Sequence, residues 1–174
     1  QDIDKDNKLA YKKYKNCLHK SKKYNNRKLE ADVLLQISYI HRLWAEMDTM
    51  FTISEEALEV AKSINYQIGI ANAYASIAQN KKILNLFKGD QIYSDDEINT
   101  SYEKAYKIRE DMNDKPEIAK FLINNKVDYF VDKKDLTEAL KCVETAYRIY
   151  KNISDNKGYF LCYEKYSQIY EDFH

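Results

Sequence analysis

Glycine and proline are scarce, at 3 Gly and 1 Pro in 174 residues, where average usage is roughly 7% and 5%. Strand-rich folds need both at frequent turns, so the shortage argues against an all-β sandwich or barrel. Cysteine is also sparse. Cys17, Cys142 and Cys162 are odd in number and widely spaced, which excludes a disulfide framework and any C-x-x-C motif. His19, His41 and His174 do not stand three or four residues apart, so no helical metal pair exists. Long apolar runs are missing too. The longest uncharged stretch, 63–80, contains Asn, Gln and Ser, and reads as a buried helix rather than a membrane span. No signal peptide opens the chain, which begins at Gln1. That start implies a processed product or a cut fragment, and slightly favours an extracytoplasmic sensor over a cytoplasmic array.

What is present is a balanced, core-forming composition. Apolar residues make up 44% and charged residues 32%, enough to build one domain around a hydrophobic core. Lys plus Arg equals Asp plus Glu at 28 each, but the halves differ. Residues 1–28 hold 10 basic and 3 acidic side chains, a net +7, and the rest of the chain carries −7. A basic arm attracts nucleic acid or anionic membranes. Here Lys12, Lys13, Lys15, Lys20, Lys22 and Lys23 fit the solvated side of one amphipathic helix, so no nucleic-acid partner is expected.

A repeat runs through the chain. Segments 57–64, 105–112 and 146–153 each open on Ala and carry apolar residues at offsets of one, three and seven, which is one helical face. A fainter copy opens at Cys17. The spacings are 40, 48 and 41 residues. Between the copies lie further helical runs at 29–43, 68–87, 116–131 and 159–170. Each repeat is therefore two antiparallel helices joined by a short turn. Boundaries fall at 1–26, 27–65, 66–113, 114–154 and 155–174, with half repeats at both ends.

Start signals support this register. Ser94 with Glu97 forms a capping box, and Asp135 with Glu138 a variant of one. Pro116 sits in a first helical turn, where its missing N–H costs little. Thr52 with Glu55 mimics a helix start, but the repeat register makes that segment helical from about Asp48. The 48-residue spacing implies an insertion at 88–95 that lengthens the preceding helix by about a turn and adds loop.

These residues resemble a tetratricopeptide repeat array. The best copy runs through 121–130, then Asp135 to Leu140, with Ala139 and Ala146 as the two small residues seven apart in the second helix. Cys17, Ala57 and Ala105 match the position of Ala146. The period exceeds the family's usual 34 or so. The closing proline is missing, and Ser38, Val127 and Ser167 replace the first-helix glycine. These departures are similar to the longer-helix variant of kinesin light chains and of bacterial sensor and regulator proteins. The resemblance implies an all-α, right-handed superhelix of about seven antiparallel helices in a single repeat domain. It also implies a non-catalytic protein- or peptide-binding module, the sensing or partner-binding part of a bacterial signalling protein. The array ends at His174 where another second helix is due, which implies a fragment or an end covered by a partner copy.

No catalytic constellation stands out. The opening Asp2, Asp4 and Asp6 begin like a calcium loop, but Asn7 stands where Gly is required and Lys13 where the bidentate Glu is required. The three glycines form no phosphate loop, and no cofactor is expected. Binding is the better reading. Carrying over the family's groove-facing positions gives Leu35, Tyr39 and Arg42 in the first full pair and Gln79 and Ile83 in the second. The third gives Asn124, Asp128 and Asp132, and the last helix Glu164, Gln168 and Glu171. Arg42 suits a carboxylate, through a forked pair of bonds. Tyrosine is abundant, at 16 residues. Tyr159, Tyr163, Tyr166 and Tyr170 cluster on the last helix, either as a homodimer contact or as a face that a following helix covers. A scaffold that self-associates through its repeat ends is the alternative function.

Overall fold

The computed structural model describes residues 2–89 and 91–173. Over these residues the protein is an all-α helical array of eight helices with no strand, one helix more than the sequence reading counts. They are α1 (Asp2–Lys23), α2 (Arg27–Leu43), α3 (Met47–Ser63), α4 (Gln67–Lys88), α5 (Asp95–Asp111), α6 (115–132), α7 (Leu136–Asn152) and α8 (Asn156–Phe173). Within α6, Lys115–Phe121 and Val127–Asp132 flank a π turn at Leu122–Lys126. Gln1, Asp90 of the expected insertion and His174 lie outside the described residues, as does the side chain of Asp2.

Six of the seven connections are the same turn. Asn25, Ala45, Asn65, Asn113, Lys134 and Ser154 each take φ between 51° and 58°. The residue that follows donates its N–H five positions back, as in Asn26 to Ser21 (2.8 Å), Glu46 to His41 (2.9 Å) and Asp135 to Phe130 (2.9 Å). This is the Schellman closure, normally built on glycine. Here it is built without glycine, and at three of the six positions Asn tolerates the left-handed backbone. The residue after the turn starts the next helix. Asn26, Asp114 and Asp135 accept N–H bonds from Leu29, Glu117 and Glu138, and Asp155 accepts from Lys157 and Gly158. Glu46 and Tyr66 make no such side-chain bond. Thr52 lies inside α3, where its hydroxyl donates to the Asp48 carbonyl at 3.0 Å, as the repeat register requires.

The seventh connection is the insertion. α4 runs for 22 residues, against 17 in α2 and α3, and stops on Gly89 at φ 67°. The loop beyond is pinned. The Asn85 side chain donates to the Tyr93 carbonyl (2.7 Å) and accepts from the Tyr93 N–H (3.0 Å). Ser94 and Glu97 then close the capping box.

The chain divides into two compact units, 1–105 and 106–174, where the sequence reading draws one domain. In the first unit each of α1 to α4 packs on its chain neighbour, and α2 also packs beside α4. Its core holds Ala31, Leu34, Ala57, Leu58, Ala61, Ala73 and Ile77. In the second unit α7 packs on α6 and α8, and these two also meet directly. Its core holds Leu122, Ile123, Val127, Val143, Ala146, Cys162 and Ile169. Burying one such aliphatic side chain contributes about 1.5–3 kcal/mol. The repeated Ala57, Ala105, Ala139 and Ala146 are fully buried, which lets helices approach closely. Cys17, expected to match them, is only half-buried.

Candidate functional site

The face shared by α2 and α4 in the first unit gathers three of the predicted groove residues. The Arg42 guanidinium donates from Nη1 to Gln79 Oε1 at 2.6 Å and to Asn80 Oδ1 at 3.5 Å. Its carbon lies 5.1 Å from the centre of the Tyr39 ring, a cation–π distance. Tyr39 itself is exposed. Burial pushes the Arg42 pKa below its ordinary value, with Tyr39 and Tyr102 acting in the opposite direction. No carboxylate of the described residues pairs with Arg42. A guanidinium has five donors, and both of these bonds use Nη1.

Beneath Arg42 lies a buried polar network that sequence reasoning missed. Asn80, Ser38 and Ser54 are all fully buried. The Asn80 amide donates to the Met50 carbonyl and to Ser54 Oγ, each at 3.2 Å, and Ser38 Oγ donates to the same carbonyl at 2.7 Å. These bonds lock Asn80 so that its oxygen faces Arg42. The signal was an Asn at helical spacing from Ala73, Ile77 and Leu84, on the buried face of α4, where an unpaired amide costs several kcal/mol.

The other predicted positions separate. Leu35 departs from its expected groove position, because it is buried in the first unit's core, in one cluster with Ala73 and Ile77. Ile83 is partly exposed, one turn beyond Gln79 on α4. In the second unit Asn124 is exposed within the π turn, and Asp132 is exposed at the end of α6. Asp128 accepts from Lys165 Nζ at 2.6 Å, and Gln168 accepts from the same amine at 3.0 Å. Lys165, absent from the sequence expectation, thus joins two predicted residues and neutralises one acid. Glu164 and Glu171 are exposed.

The tyrosines divide by face. Tyr159 and Tyr166 pack against the second unit's core, while Tyr163 and Tyr170 are exposed at 61% and 56%. Tyr147 meets Tyr159 at 5.4 Å and Tyr163 at 6.2 Å between ring centres. Phe160, unremarked in the sequence, is 64% exposed beside them. His41 is a packing residue. Its ring meets Tyr11 and Trp44 edge-on, and its Nδ1 lies 2.5 Å from Glu46 Oε2.

A different concavity of the first unit, of about 640 Å³, is lined by Lys22, Arg27, Glu30 and Glu56 among others. Its charges satisfy one another, with Arg27 on Glu30 at 2.8 Å and Lys22 on Glu56 at 3.1 Å. Among the described residues no cluster of His, Cys, Asp or Glu has metal-holding geometry, and no helix is long and apolar enough to cross a membrane.

No family model and no curated protein matches the chain. A solved structure does: BtubC (BKLC) from P. vanneervenii, at TM-score 0.64 and 14% identity, over 99% of this chain and 76% of that one. At that identity the likeness concerns the fold alone.

Proposed function

We propose that the chain is a non-catalytic module of tetratricopeptide-repeat type that captures a protein or peptide on the α2–α4 face of its first unit. The observation that carries this reading is Arg42. A half-buried guanidinium held by Gln79, Asn80 and the Tyr39 ring, with no carboxylate partner among the described residues, is arranged for a group supplied from outside. The resemblance to bacterial sensor arrays extends the proposal to a partner-sensing role in signalling, in which capture biases an output module. That step rests on analogy of architecture.

The test is display selection of random dodecapeptides on the immobilised chain, repeated with Arg42→Gln. A consensus that the variant no longer selects supports the reading. A wild-type selection without consensus overturns it.

The exposed Tyr163, Tyr170 and Phe160 favour a second reading, a scaffold that self-associates through α8. Light scattering coupled to size exclusion separates the two. A defined dimer dispersed by Tyr163→Ser with Tyr170→Ser supports the scaffold, and a monomer at high concentration removes it.

A further inference from the structure

The end of α4 extends the same face in a specific way. Gln79, Ile83 and Leu86 lie four and seven residues apart, so they share one side of the helix, with Phe87 beside them. Leu86 is 71% exposed and Phe87 64% exposed, among the most exposed large apolar side chains of the described residues. Both stand in the last turns of α4, the part that makes it longer than α2 and α3. This extension is anchored from behind. Leu84 is buried, and Asn85 clamps the Tyr93 backbone through two hydrogen bonds. The Tyr93 ring lies 5.7 Å from Phe51 and under Lys81 at 5.1 Å. Two large apolar side chains are thus presented to water on an anchored turn, in line with a cation that no carboxylate of the described residues pairs.

Resting on the proposed capture of a peptide at this face, we infer that the ligand is an extended segment carrying a carboxylate and a large apolar side chain at a set spacing. The carboxylate meets Arg42, and the apolar side chain rests on Ile83, Leu86 and Phe87. Helical rise puts Ile83 about 6 Å and Phe87 about 12 Å along the axis from Gln79. An extended peptide advances about 3.3 Å per residue. The two ligand groups therefore stand two to four residues apart. Charge complementarity selects the acid, because an unpaired guanidinium repels a basic residue and gains little from a neutral one. The preformed face lowers the ordering cost of binding.

The experiment uses oriented decapeptide libraries with blocked ends, so that terminal charges are removed. Each fixes Asp and Phe at spacings of one to six residues, with matched libraries carrying Asn for Asp or Ala for Phe. Retention of the whole chain is read by fluorescence anisotropy. The expected result is a preference of about tenfold for Asp over Asn, confined to spacings of two to four. Arg42→Gln should abolish the Asp preference and keep the Phe preference. Phe87→Ser with Leu86→Ser should do the reverse. These two side chains are exposed, so the second variant keeps its fold even if the first does not. Binding that ignores Asp against Asn, or that ignores spacing, overturns this inference and leaves peptide capture standing. No binding by any library overturns both.

Discussion

Arg42 and Gln79, 37 residues apart in the chain, meet through a 2.6 Å hydrogen bond that joins α2 to α4. The acceptor is a neutral amide, so this bond leaves the charge of the guanidinium uncompensated. Gln79→Glu tests this directly. The new carboxylate would sit where the amide oxygen now accepts and would pair with Arg42 inside the chain. A charge-assisted bond is about 1 kcal/mol stronger than its neutral counterpart. The melting temperature should then rise by about 2–4 °C, while affinity for acidic peptides falls about tenfold. Differential scanning fluorimetry and anisotropy on one sample read both. A variant that still binds acidic peptides as the wild type does would remove Arg42 from the site.

The glycine-poor turns make a second prediction. Lys134 holds φ 58° at an exposed turn. An L-residue there costs about 1–2 kcal/mol, and the larger unfolded-state entropy of glycine offsets about 0.5–1 of that. Lys134→Gly should stabilise by about 0.5–1 kcal/mol in urea denaturation. Asn113 occupies the same position one turn earlier in the array, with φ 51°, and its short polar side chain eases that backbone. Asn113→Ala should therefore destabilise. Opposite signs at equivalent positions identify the backbone, and not the local charge, as the cause.

Alkali should weaken the second unit. Burial pushes the Cys162 thiol up to about 11 and is the main cause raising the Tyr150 hydroxyl to about 12, where ordinary values are 9.0 and 10.0. Folding thus favours the protonated form of each. Their contribution is complete below pH 9 and is lost as pH rises from about 9 to 12. The urea midpoint should hold between pH 7 and 9 and decline above that. Cys162→Ala should remove the lower part of the decline and leave the part set by Tyr150. An unchanged midpoint at pH 11 would mean that neither group is shielded from water.

Legibility of the fold followed the physics of each signal. Helix starts were readable where Asp135 and Ser94 cap and where Pro116 sits in a first turn, because that chemistry is local. The longer α4 was readable from one irregular spacing. The turns at Ala45 and Lys134 were not, since neither residue type marks a left-handed backbone. Helical register grouped Arg42 with Gln79, and in the unbroken helices α2 and α4 the two side chains meet. It misplaced Leu35, which is buried in the first unit's core, because burial depends on the packing of neighbouring helices and not on the period of one helix. Around Asn124 the π turn adds a residue to the turn, which no local pattern announced. The Asn80 network was hidden because a buried polar residue reads as a flaw until its partners are in view.

The tyrosine-rich helix α8 divides packing from association. Tyr166 is partly buried against the core, and burial is the largest cause raising its pKa. Removing most of that ring should cost about 1–3 kcal/mol, below the roughly 3–5 of a fully buried aromatic. Phe160, by contrast, is 64% exposed. Its replacement by Ser should change stability by no more than about 0.5 kcal/mol. Tyr166→Ala should therefore lower the urea midpoint at any protein concentration. Phe160→Ser should leave the midpoint in place and act, if α8 is an interface, only on the mass measured by light scattering at high concentration. A stability loss for Phe160→Ser that grows with protein concentration would place that ring inside an assembled contact. A loss independent of concentration would place it in the fold of the single chain. Those two outcomes separate association through α8 from ordinary packing.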